Sequence, residues 1–214
     1  MTLLEPAVAL TDLGLAAEGV VLAALVNRPR ATDTALQGWF VLFFAALALA
    51  AFLGFVAHGF IVHKMSLAHR LVWRAVLLAI GVVSLAAWAI GARLIFPARI
   101  GKLIIALVAL AFAAYAVLVL RHQRSFVVAV VAYLPAALFL LGVFLLQLRR
   151  APTPGLRSGI AGLLLTLVAA VVQQLGFDLH PVWFNHNALY HLIQALGLWL
   201  IYRAARGLVR AEPA

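Results

Sequence analysis

The sequence predicts an all-α, polytopic membrane protein in which seven transmembrane helices form a single domain over residues 1–214. Three observations carry that reading. Hydrophobic residues make up 67% of the chain and charged residues 10%, against roughly half and a quarter in average globular domains. Seven apolar runs are each long enough to cross a hydrocarbon core of about 30 Å, which takes roughly 20 helical residues. The segments between them collect Gly, Pro and charge, as turns do.

The first run, 6–26, lacks a basic leader and carries Asp12 and Glu18, so it is expected to stay as a helix rather than be removed as a signal peptide. NRPRATDT ends it, and the second run, 36–61, leads into HKMSLAHR. The third, 71–95, stops at FPARIGK and the fourth, 101–121, at RHQR. The fifth, 125–147, contains Pro135, which is expected to kink it, a defect that neighbouring helices tolerate. RRAPTPGLR separates it from the sixth, 157–177, and FDLHPVWFN leads to the seventh, 186–206, with Asn185 as the expected N-cap. No linker separates domains, and no internal repeat is visible.

Charge orients these spans. The net charge of +10 is distributed between the apolar runs, so it reads as topology signal and head-group contact, and nucleic acid is not an expected partner. With seven spans, Lys64, Arg70, Arg74, Arg121 and Arg124 share the N-terminal side. The other side holds Arg28, Arg30, Arg93, Arg99, Lys102, Arg149, Arg150, Arg157, Arg203, Arg206 and Arg210. The positive-inside rule then gives N-out and C-in, expected in a bacterial inner membrane with membrane lipids as partners. Trp39, Trp73 and Trp183 near the run ends suit an aromatic belt. The chain has no cysteine, which excludes disulfides and thiolate chemistry.

All seven histidines, at 58, 63, 69, 122, 180, 186 and 191, fall toward the outer ends of the runs. His63, His69 and His122 sit in or beside short loops and read as interfacial. Asp12, His58 and His191, from the first, second and seventh runs, share a depth of roughly 7–10 Å at about 1.5 Å of rise per residue. Ionisable residues inside spans are costly and face interior cavities, often with a function. Neutral imidazole suits zinc, whose catalytic sites take three protein ligands and a water. The metal makes hydroxide available near neutral pH for attack on an amide or ester. Asp12 is then the catalytic residue, holding the water, acting as general base or orienting a histidine. The structural alternative for His58, His191 and Asp12 is a set of interhelical hydrogen bonds. Glu18, deeper still, must be protonated or paired, and Asp33 and Glu212 read as solvated.

The pattern resembles the CREST superfamily, which contains the alkaline ceramidases and the progestin/adiponectin receptors. That family's motifs are Ser-x-x-x-His in the second helix, Asp opening the third, and His-x-x-x-His in the seventh. Here His58 stands at the first histidine with Gly54 at the serine, His69 falls at the aspartate, and the last frame reads Asn187 and His191 beside His186. FNHNALYHLIQALGLWLIYR also looks like the last helix of bacterial proteins near that group. The resemblance implies a divergent member with Zn2+ on His58 and His191, the third ligand falling to His186, His69 or Asp12, of which His186 is assigned. Glu18, His69, Asp178, His180 and Asn187 are accessory residues by their place in the same polar layer. The resemblance also implies a zinc-dependent intramembrane hydrolase of a lipid-like amide or ester, near the outer face. The competing expectation is a non-catalytic lipid-binding or sensor protein using the same polar layer, with or without metal. A b-type haem on His58 and His191 is a third. Retinal is disfavoured because the only lysines are Lys64 and Lys102, neither in the seventh run.

Overall fold

The computed structural model describes residues 3–28, 31–121 and 125–210. His122, Arg30, Arg124 and Glu212 lie outside the described residues. Seven helices follow in order: α1 (Pro6–Val26), α2 (Thr34–Phe60), α3 (Leu67–Ile95), α4 (Ala98–Arg121), α5 (Val127–Arg150), α6 (Pro154–Leu175) and α7 (His186–Arg210). All seven are long and apolar enough to cross a membrane.

Local chemistry starts the helices where it should. Pro6 and Pro154 sit in the first turns of α1 and α6, where a missing amide costs nothing. Asp33 accepts from Leu36 N at 2.9 Å, Ser66 from His69 N at 3.1 Å and Asn185 from Ala188 N at 3.0 Å, capping α2, α3 and α7. α5 continues through Pro135. Nearby, Ser84 of α3 donates to the Ala132 carbonyl at 2.8 Å and ties the two helices together.

Six helices close a ring: α1 packs on α2 and α7, α2 on α3, α3 on α5, α5 on α6, and α6 on α7. α4 stands outside it, packed on α3 and pinned by the Tyr115 hydroxyl donating to the Leu77 carbonyl at 2.7 Å. The α6–α7 crossing depends on missing side chains. A Cβ on Gly162 would sit 2.5 Å from the Gly197 carbonyl oxygen and 2.9 Å from the Ile201 amide. Small residues let membrane helices approach this closely, and dispersion then holds them.

The ring is solid at one end only. At the end rich in arginine, Phe40, Phe43, Phe44 and Phe144 are fully buried and pack with Leu156, Ile201 and Val209 into one core. Polar side chains tie that end down. Gln37 donates to the carbonyls of Val26 and Arg28, and Gln147 to that of Leu94. Arg93 forms a two-point ion pair with Asp33, at 2.9 Å and 2.8 Å from its Nε. Asp33 is thus a cap and an ion-pair partner rather than a simply solvated carboxylate. Burial pushes its titration upward, and the opposing hydrogen bonds and charge of Arg93 with the Leu36 amide hold it below the ordinary 3.8. The histidine end is hollow.

Candidate functional site at the histidine end

A cavity of about 280 Å3 occupies the middle of the ring and takes lining residues from all six ring helices. Its walls are mostly apolar, with Leu15, Leu47, Ile80, Val83 and Leu134 among them. Polar groups project from its sides: Asp12, His58, Gln173, His186, Asn187, His191 and Gln194, with Tyr133 and Tyr190.

At its centre lies a buried pair. Asp12 is 4% exposed and His191 9%, and Asp12 Oδ1 stands 3.1 Å from His191 Nε2. The Thr11 hydroxyl lies 2.9 Å from the carbonyls of both Ala7 and Val8 and 3.0 Å from His191 Nδ1. A helical threonine hydroxyl donates to such carbonyls, so its oxygen accepts from Nδ1–H. Nε2 of the neutral ring is then without a proton, and its contact with Oδ1 needs one. The pair holds it as carboxylic acid and imidazole or as carboxylate and imidazolium. Both forms are neutral overall, which suits a site with little water.

Two acceptors beside this pair are unused. Asp12 Oδ2 and Gln194 Oε1 are buried without a hydrogen-bond partner, an arrangement that costs about 1–3 kcal/mol per group unless something donates to them. Gln194 is 3% exposed and lines the same cavity. Gly54 makes room for the carboxylate: a Cβ there would lie 2.8 Å from Asp12 Oδ2 and 2.9 Å from Oδ1. The position that reads in sequence as a missing serine is a socket for Asp12.

The other expected residues are distributed around the mouth. His58 Nδ1 pairs with Glu5 Oε2 at 2.9 Å, and Lys64 Nζ reaches the other oxygen of that carboxylate at 3.6 Å. His186 Nδ1 lies 2.9 Å from Asp178 Oδ1, which also accepts from the His186 amide. Those two bonds hold the Asp178 carboxyl below its ordinary range. His180 accepts the amides of Val182 and Trp183 at 3.2 Å and serves the α6–α7 loop. His69 stacks on Trp73 with ring centroids 5.9 Å apart. Asn187 accepts from Gln173 at 3.4 Å and lines the cavity. Glu18 lies half-exposed on the edge of α1, outside the cavity lining.

The three histidines expected to bind zinc therefore reach one cavity, but each ring engages a different carboxylate. Among the described residues, no group of three or more His, Asp or Glu side chains is placed to hold a metal ion. This arrangement does not fit a three-ligand zinc centre. It fits hydrogen bonding and proton exchange at Asp12 and His191. Sequence reasoning missed Glu5, Thr11 and Gln194. Only Gln194 carried a signal, being three residues past His191 and so on the same helix face.

The chain belongs to DUF6962, a family of unknown function, which matches residues 7–210. No curated protein and no solved structure matches the chain.

Proposed function

We propose that the central cavity binds a lipid-like amphiphile, with a hydrogen-bonding group of the ligand against Asp12, His191 and Gln194 and its chain along the apolar wall. The observation that carries this reading is the pair of buried, partnerless acceptors, Asp12 Oδ2 and Gln194 Oε1, on residues that line a mostly apolar cavity. A ligand hydroxyl or amide N–H donates to one of them, and a water it brings has protons for the other. The positive-inside assignment supports a histidine end directed away from the cytoplasm, so that ligand comes from the outer leaflet.

A second reading is favoured by the same two oxygens. A water held between Asp12 Oδ2 and Gln194 Oε1 has a proton acceptor beside it, as hydrolysis of an amide or ester requires. In that reaction Asp12 takes the proton of the attacking water and the pair with His191 returns one to the leaving group. Because the histidines do not assemble a zinc site, no step here runs through metal.

Binding is tested with dioctanoylglycerol on the purified protein in detergent, read through tryptophan fluorescence, since Trp73 lines the cavity. Saturable binding is expected, weakened about tenfold in Gln194→Leu. Absence of saturable binding to the wild type overturns the proposal. Hydrolysis is read on p-nitrophenyl octanoate, with turnover expected to vanish in Asp12→Asn and His191→Ala. Elemental analysis of the same preparations addresses the zinc expectation. About one zinc per chain, lost in both His58→Ala and His191→Ala, requires those rings to leave Glu5 and Asp12 and restores the metallohydrolase reading.

A further inference from the structure

A second cavity, of about 480 Å3, lies at the histidine end between the segment preceding α1 and the α2–α3 connection. It shares two residues with the central cavity, His58 and Trp73. Their rings meet edge to face with centroids 6.2 Å apart, and both line the two chambers where these adjoin. Glu5 fixes the His58 ring, and stacking on His69 fixes that of Trp73.

The outer chamber differs chemically from the inner one. Lys64, Arg70 and His69 line it, with Glu5 as its single carboxylate. Arg70 is held over the chamber by its Nη1 donating to the Met65 carbonyl at 3.3 Å. The N-terminal end of α3, a helix of 29 residues, opens beside it and adds the positive end of its dipole. The rim is apolar and open: Val62 is 65% exposed and Met65 72%.

We infer that this outer chamber is a phosphate site, and that the amphiphile of the central cavity is a phosphate-bearing lipid whose head group rests on Lys64 and Arg70 while its chain passes Trp73 into the ring. The inference rests on the binding reading above and narrows its ligand class. From Ile61 at the chamber to Gly54 beside Asp12 the helix rises about 10 Å, the reach from a phosphate across a glycerol to the start of an acyl chain. Asp12 and His191 then face the linkage region of the lipid rather than its head group. Guanidinium and ammonium groups bind phosphate through charge-assisted hydrogen bonds, and the open rim suits a head group arriving from the interface.

The test compares dioctanoyl phosphatidate with dioctanoylglycerol, which carries the same chains without phosphate, on the full-length protein in neutral detergent. The wild type is expected to prefer phosphatidate by about tenfold. The double variant Lys64→Ala/Arg70→Ala is expected to lose that preference and keep its affinity for dioctanoylglycerol, which shows that it remains folded. Lys102→Ala, at the opposite end, keeps the preference. Where the double variant fails to fold, the single variants Lys64→Gln and Arg70→Gln must each reduce it. Equal binding of the two lipids by the wild type overturns the phosphate site and leaves the central-cavity reading standing. No binding of either lipid overturns both. Inorganic phosphate that competes at concentrations matching phosphatidate makes this a free-anion site and overturns the lipid assignment.

Discussion

Gly54→Ala puts the Asp12 socket under direct test. The added Cβ would stand 2.8 Å from Asp12 Oδ2 and 2.9 Å from Oδ1, where ordinary contact begins near 3.4 Å. The carboxylate must therefore move by about 0.6 Å, the difference between 3.4 and 2.8 Å. Applied to the 3.1 Å contact with His191 Nε2, that shift gives about 3.7 Å if directed away from the ring and about 2.5 Å if toward it. Both lie outside the 2.7–3.2 Å range of good N–H···O geometry. Overpacking of this kind costs about 1–3 kcal/mol, offset by about 0.4–1 kcal/mol because alanine orders the unfolded chain. The assay is thermal unfolding in detergent across a double-mutant cycle with Asp12→Ala, which removes the colliding atoms. A coupling of about 1–2 kcal/mol is expected. Gly14→Ala and Gly142→Ala, where no atom lies within 4 Å of the new Cβ, are the controls and should not destabilise. The reasoning is refuted if Gly54→Ala behaves like those controls, or if its effect adds to that of Asp12→Ala without coupling.

Two further outcomes are expected at the other features. Asp33→Asn should destabilise by about 1 kcal/mol through the weakened cap and lost ion pair. Because the folded value lies below the ordinary 3.8, the Asp33 contribution is present above that pH and fades as pH falls through the lowered value. The wild type should lose stability over that acid window and the variant should lose less, as followed by unfolding at several pH values. Gly162→Val should cost about 3 kcal/mol or more, since its Cβ meets the Gly197 carbonyl at 2.5 Å and a backbone cannot yield as a side chain does. An unchanged unfolding temperature would show that α6 and α7 do not cross here as described.

Span count and placement were legible because lipid imposes a length and an apolar composition on every crossing helix. The first run read as 6–26 and is Pro6–Val26; the others differ at their ends by up to four residues, mostly where caps and basic residues extend a helix beyond its apolar part. Rotation and neighbours were not legible. Nothing in the apolar run 101–121 marks α4 as lying outside the ring, because lipid-facing and helix-facing leucines are the same residue type. Placement of Asp12 and His191 at one depth followed from rise per residue alone. Their contact depends on Gly54, whose meaning is a volume left empty and therefore invisible in a string of letters. Likewise Glu5 precedes the first helix and acquires its role only when the chain brings it back to His58.

The solid end of the bundle has a consequence for the two halves of a bilayer. With Phe43, Phe44 and Phe144 sealing one end, the chain is a cup rather than a conduit. Whatever enters at the histidine end must leave there. On the binding reading proposed above, exchange with the bilayer is therefore confined to one leaflet, whichever way the chain is inserted. A lipid bound as proposed above goes back to the monolayer it came from, and the compositional difference between the two monolayers is left intact.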